Sequence, residues 1–92
     1  MSTKARADLR GYSGYISQRN PDAAEKWTAK IEKKCRLVAR YPDLGDPCPE
    51  YGEGVRSTYV GSYVIYFRRA GEVLEIVRII RGDRDVKSLE TQ

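Results

Sequence analysis

The sequence predicts a two-layer α+β domain, an N-terminal antiparallel helical hairpin packed on a C-terminal antiparallel β-meander. Three observations predict it. Apolar residues recur at helical spacing through the first half, at Ala5, Leu9, Tyr12 and Ile16, then at Ala24, Trp27, Ile31, Cys35 and Val38. Three β-branched and aromatic runs fill most of the second half. Between those runs, Gly61-Ser62 and Ala70-Gly71-Glu72 fall where tight hairpin turns are needed. A hairpin of helices and a meander each carry an apolar face, and laying one on the other buries both. The 92 residues, 40% hydrophobic and 33% charged, provide for a single domain with one modest core.

Each element has its own start and stop. Ser2 and Thr3 offer caps for a first helix over residues 4–19. Gly11 and Gly14 lie inside it, lower its helix propensity, and predict a close approach by a neighbouring helix. Asn20-Pro21 restarts the chain, Asn as a cap and Pro at the first helical position. The second helix, over 21–41, carries Asp22 and Glu25 at the positive end of its dipole and Lys33, Lys34, Arg36 and Arg40 toward the negative end. Leu37 and Tyr41 widen its apolar stripe, and Pro42 ends it. Residues 42–54 hold three prolines and three glycines and read as a loop.

Strands are expected over 55–60, 63–69 and 73–81. In the last, strict alternation puts Leu74, Ile76 and Ile80 on one face with Arg78. Val73, Val77 and Ile79 fall on the other with Glu75 and Arg81. Apolar residues on both faces predict a central strand. Residues 82–92 form a polar tail with a short turn expected over 86–89. There are no internal repeats.

Composition narrows the chemistry. Seventeen Lys and Arg against 13 Asp and Glu give a net charge of +4, which favours an acidic partner: nucleic acid, an acidic protein or an anionic membrane surface. No stretch approaches the roughly 20 apolar residues that span a bilayer, and residues 1–10 contain no apolar leader, so a cytoplasmic soluble protein is expected. The two cysteines, Cys35 and Cys48, lack the spacing of a zinc pair, and no metal or other cofactor is expected. Cys35 falls on the apolar helical face as a buried thiol.

The sequence contains no His, which removes the commonest general base near neutral pH and the commonest metal ligand. What remains is arginine. Arg56, Arg68, Arg69, Arg78, Arg81 and Arg84 fall in or just after the meander, and guanidiniums grip phosphate or carboxylate bidentately. An Arg on a sheet edge also serves simply to block aggregation. Among the seven tyrosines, Tyr59, Tyr63 and Tyr66 sit on strands, a residue type suited both to interfaces and to the margin of a core. The candidate binding set is Arg56, Arg68, Arg78, Arg81, Arg84, Tyr12 and Tyr66, with no catalytic residue assigned.

Taken in order, several segments resemble those of ParE-type toxins in the RelE/ParE toxin–antitoxin superfamily. Ala7-Asp8-Leu9 with Tyr15-Ile16 resembles their first-helix signature, and Asn20-Pro21-Asp22-Ala23-Ala24 their inter-helix turn. Tyr41-Pro42-Asp43-Leu44-Gly45, with Pro47 and Glu50, resembles their loop. Gly54-Val55-Arg56-Ser57 and the run from Val60 to Arg68 resemble the first two strands. The run from Glu75 to Asp85 resembles the last strand and its exit. The match covers residues 5–86. It implies the toxin of a type II toxin–antitoxin pair, a plasmid-stabilisation protein that inhibits DNA gyrase and is neutralised by a ParD-like antitoxin, whose tail is expected over the helical hairpin and the sheet's arginines. Direct nucleic-acid binding is not expected outside that complex. The alternative the resemblance carries is a ribosome-dependent mRNA endoribonuclease of the RelE branch. Where many relatives carry His, this sequence has Arg81, permanently charged and a poor proton shuttle. A third reading is a binding module without toxicity. The resemblance also implies a strand ahead of the first helix. Only residues 1–4 precede that helix here, so either the strand is very short or the true start lies further upstream; if the strand is absent, one sheet edge is expected to be open to a partner strand.

Overall fold

Both helices begin on the caps expected of them. In a computed structural model, which describes residues 1–82, α1 spans Thr3–Arg19 and α2 spans Pro21–Arg40. The Ser2 hydroxyl accepts the Ala5 amide at 3.0 Å, and the Asn20 side chain accepts that of Ala23 at 3.1 Å. The same Asn20 donates its own amide to Ile16 O, so one residue closes α1 and opens α2. From α2, Ala24, Trp27, Ile31 and Val38 are buried; from α1, only Ala5. Leu9, Tyr12 and Ile16 of α1 pack on the core from its margin. A Cβ at Gly11 or Gly14 would meet no atom within 4 Å, so these glycines face open space and not the close helix their sequence context suggested.

The expected meander is present, as β2 (Arg56–Val60), β3 (Tyr63–Ala70) and β4 (Val73–Arg81). Gly61, at φ 57°, and Gly71, at φ 66°, each open a two-residue turn that requires left-handed backbone at its first position. Three features depart from the alternation read in the sequence. First, the sheet has four strands, because Asp46–Pro47 within the expected loop forms β1, pairing with Ser57 and Arg56. Gly45 permits this: a Cβ there would fall 2.5 Å from the Phe67 ring and 2.9 Å from Ser57 O. The ladder is short because Pro47 has no amide to donate.

Second, a register shift at Tyr66/Phe67 pairs Phe67 with Ile76 and Tyr66 with Arg78, leaving Val77 as the extra residue of a bulge. Ile76 and Ile79 therefore both face the helices, where strict alternation separated them. Third, the order β1-β2-β3-β4 puts β4 at an edge, not at the centre. Its two apolar faces have two separate destinations. One joins the main core of Ile31, Val38, Ile65, Phe67, Ile76 and Ile79. The other, through Ile80, joins a smaller cluster of Val55, Val64 and Tyr66. Beyond Gly82, the tail with Arg84 and the turn expected over 86–89 lies outside the described residues.

Candidate interaction surfaces

The outer edge of β4 is met by Ser2, the cap of α1, and by two side chains of α1. Ser2 donates its amide to Ile76 O and its hydroxyl to Val77 O, each at 2.8 Å. The Asp8 carboxylate accepts the Ile79 amide at 3.0 Å and both Nε and Nη2 of Arg78, at 2.8 and 3.1 Å. The Tyr12 hydroxyl accepts the Arg81 amide at 3.1 Å. Asp8 and Tyr12, four residues apart, share one face of α1, and Ser2 caps the helix at the same edge, so the strand's backbone groups are met in turn. The open edge expected from the short N-terminus is therefore not open. Ser2, Asp8 and Tyr12 take the positions a neighbouring strand would need.

The predicted site residues do not converge on one surface. Arg78 is engaged with Asp8. Arg56 reaches the other way, donating from Nε to Gly45 O at 3.1 Å and from Nη2 toward Asp43 O at 3.5 Å, so it ties down the loop that carries β1. Arg68 pairs with Glu75 across β3 and β4 at 3.4 Å, an exposed contact of small energetic weight. Tyr66 is buried in the smaller cluster with its ring 4.3 Å from that of Tyr51. Tyr12 and Arg81 do come together, lining with Ala7, Gly11, Tyr15 and Tyr63 a groove of about 580 Å³. Under it the rings of Tyr12, Trp27 and Tyr63 meet at 4.9–6.2 Å, in tilted and edge-on contacts. The Trp27 indole N–H is buried there with no acceptor among the described residues, so the cluster is held by ring packing.

A second groove, of about 650 Å³, lies between the C-terminal half of α2 and the end of β2, and no residue of the predicted site lines it. Lys30, Lys33, Lys34, Arg36 and Arg40 surround an apolar floor of Leu37, Tyr41, Tyr59 and Val60, with no acidic residue among them. Leu37, Tyr41 and Tyr59 are 40%, 53% and 53% exposed. The Arg40 guanidinium lies 6.0 Å from the Tyr41 ring centroid. The signal was in the sequence: positions 30, 33, 34, 37 and 41 share one face of a helix. Spacing alone places Leu37 and Tyr41 on the core stripe and the lysines at the dipole's end, whereas the structure puts them around one groove.

Cys35 lines neither groove. Burial pushes the Cys35 thiol up to about 11, so it stays protonated and a poor nucleophile. Among the described residues no group of three His, Cys, Asp or Glu side chains could hold a metal ion. None of their helices is long and apolar enough to cross a membrane.

A family model described as "ParE toxin of type II toxin-antitoxin system, parDE" matches residues 1–86. The chain belongs to the ParE toxin family. It is 26% identical over 89 residues to Toxin ParE1 of Caulobacter vibrioides, covering 96% of this chain and 92% of that one. It is 29% identical over 66 residues to Toxin ParE1 of Mycobacterium tuberculosis, covering 71% of this chain and 67% of that one. A solved structure described as "Chromosomal ParDE TA system from P. aeruginosa" superposes with a TM-score of 0.74 at 25% identity, over 87% of this chain and 89% of the other. The ParE assignment made from ordered motifs thus holds, as does the α+β architecture, with β1 added. As the toxin of a type II system, the protein has an antitoxin as its expected partner.

Proposed function

We propose that this toxin arrests growth in the cytoplasm by binding DNA gyrase, without catalysis of its own, and that a ParD-like antitoxin silences it. The observation that carries this reading is the family match over residues 1–86. The chemistry of the surfaces supports it. The exposed grooves offer arginine, lysine and tyrosine around apolar floors, groups suited to gripping a protein. A sequence without His has no side chain whose ordinary pKa places a proton shuttle near neutral pH, and Arg81 stays charged throughout.

DNA supercoiling by purified gyrase, with the toxin alone and with toxin plus antitoxin, tests it. Inhibition by the toxin, relieved by the antitoxin, is the expected result. Unimpeded supercoiling, together with mRNA cleavage in a translating extract, would overturn the gyrase reading in favour of an endoribonuclease.

A further inference from the structure

Two arginines share the helix-bearing face of the sheet, at the end where β3 turns into β4. Strand pairing sets Arg56 opposite Phe67 and Arg69 opposite Leu74. Phe67 and Leu74 both pack with the main core, and paired residues share a face, so Arg56 and Arg69 lie on the helix side. They are diagonal neighbours there, roughly 7–8 Å apart at the backbone, within joint reach of two long side chains. Arg68 alternates to the opposite face, where it pairs with Glu75. Between these strands and the single turn Pro42–Leu44 lies a cavity of about 230 Å³. Pro42, Asp43, Phe67 and Leu74 line it together with Arg56 and Arg69.

We propose that this cavity binds a phosphate group that keeps one proton, either inorganic phosphate or the terminal phosphoryl group of a monoester. The Arg56 guanidinium is fixed in advance, with Nε donating to Gly45 O at 3.1 Å and Nη2 to Asp43 O at 3.5 Å. Both acceptors are neutral carbonyls, so its charge is undiminished and the rest of its fork is left for a ligand. Arg69 brings a second fork from the adjoining strand. Among the described residues no carboxylate lies within ion-pair distance of either guanidinium.

Two permanent cations favour a group with more than two acceptor oxygens and up to two charges, which is phosphate and not carboxylate. The remaining polar wall is Asp43, and an ionised carboxylate only accepts hydrogen bonds. It opposes a bare anion and suits one with a P–O–H to donate. Sulfate has the same shape and no such proton near neutral pH, and a phosphodiester has none either. The volume falls below the roughly 300–1,000 Å³ of pockets that enclose whole small molecules, so the site takes the phosphate and not the body behind it. Once bound, the anion ties the turn Pro42–Leu44 to β2 and β3, and the chain's stability follows phosphate concentration by mass action.

Calorimetric titration and thermal unfolding of the chain test this, with inorganic phosphate, glycerol 3-phosphate and sulfate at matched ionic strength. They are run at about pH 6, near the second pKa of a phosphomonoester. Inorganic phosphate at about ten times its Kd is expected to raise Tm by about 5 °C or more. It is expected to bind about tenfold or more tighter than sulfate, and Asp43→Asn to bring the two within about twofold. Arg69→Gln should weaken phosphate binding by about tenfold or more with unchanged circular dichroism, and Arg69→Lys, which keeps the charge but not the fork, by less. Arg68→Gln, on the opposite face, should leave binding as it was. Tighter binding of glycerol 3-phosphate assigns the site to a monoester and tighter binding of inorganic phosphate to the simple ion; either supports the proposal. No Tm shift with phosphate overturns it. A shift that survives Arg69→Gln, or that Arg68→Gln removes equally, means an adventitious ion only and overturns it too. Equal affinity for sulfate in the parent chain overturns the assignment to a protonated phosphate. Binding of a single-stranded oligonucleotide without terminal phosphates, abolished by Arg69→Gln, assigns the cavity to a nucleic-acid backbone and also overturns the proposal.

Discussion

The two edges of the sheet are finished in opposite ways. Along β4, the backbone groups of Ile76, Val77, Ile79 and Arg81 each meet a group from Ser2, Asp8 or Tyr12. Along β2, the outward groups of Tyr59 meet no strand among the described residues, and the neighbouring helix offers cations and exposed apolar side chains. Unpaired edges invite association, and proteins ordinarily blunt them. Here one edge is blunted by hydrogen bonds from a helix. Beside the other, the described residues place a rim of positive charge, which disfavours a second copy of the chain. The difference lies in what finishes each edge, specific hydrogen bonds at β4 and a rim of cations beside β2.

Breaking the sealed edge should give the largest effect. Asp8→Ala leaves the Ile79 amide without its acceptor and Arg78 without its carboxylate. A loss of about 2–3 kcal/mol is expected in urea unfolding, kept below the cost of breaking a fully buried pair because Arg78 is 41% exposed. Asp8→Asn, which still accepts from Ile79, should lose about 1 kcal/mol.

The open edge should tolerate what the paired one does not. Proline at Tyr59 removes an amide that has no strand partner, whereas proline at Thr58 removes one bonded to β3. Thr58→Pro is expected to destabilise by about 3 kcal/mol and Tyr59→Pro by about 1 kcal/mol, read from denaturant midpoints. Equal costs would mean that the edge at Tyr59 is occupied in the free chain.

A smaller effect sharpens the role of Tyr12, which bonds Arg81 through its hydroxyl and packs on Trp27 and Tyr63 through its ring. Tyr12→Phe keeps the ring and should cost about 1 kcal/mol in thermal or chemical unfolding. The smallest effect is a reference far from either edge. Because burial raises Cys35 from 9.0 to about 11, the folded chain holds this proton more tightly than the unfolded one. Its contribution is constant below pH 9, and stability falls as pH rises from 9 toward 11. A Cys35→Ala variant should lose that part of the alkaline decline.

Much of this was legible in the sequence where the signal is local. Ser2, Asn20-Pro21 and Pro42 marked the helix ends, and Gly61 and Gly71 the turns, because caps and left-handed backbone are dictated by neighbouring residues. β1 was missed because two residues ending in proline leave no pattern. The bulge at Val77 was missed because a one-residue insertion inverts every later assignment of face. The pairing of Asp8 with Arg78 joins residues 70 apart, and nothing in either neighbourhood announces it. The α2 groove was hidden in plain residues. Leu37 and Tyr41 have the spacing of a core stripe, and only the position of the sheet shows that they lie beyond its edge.

Amide hydrogen exchange on the isolated chain, resolved at Tyr59, Ile79 and Arg81, tests the contrast most directly. All three amides lie on the outward sides of edge strands. The account predicts fast exchange at Tyr59 and strong protection at Ile79 and Arg81, lost at Ile79 in the Asp8→Ala variant. Exchange at Ile79 and Arg81 as fast as at Tyr59 would contradict it.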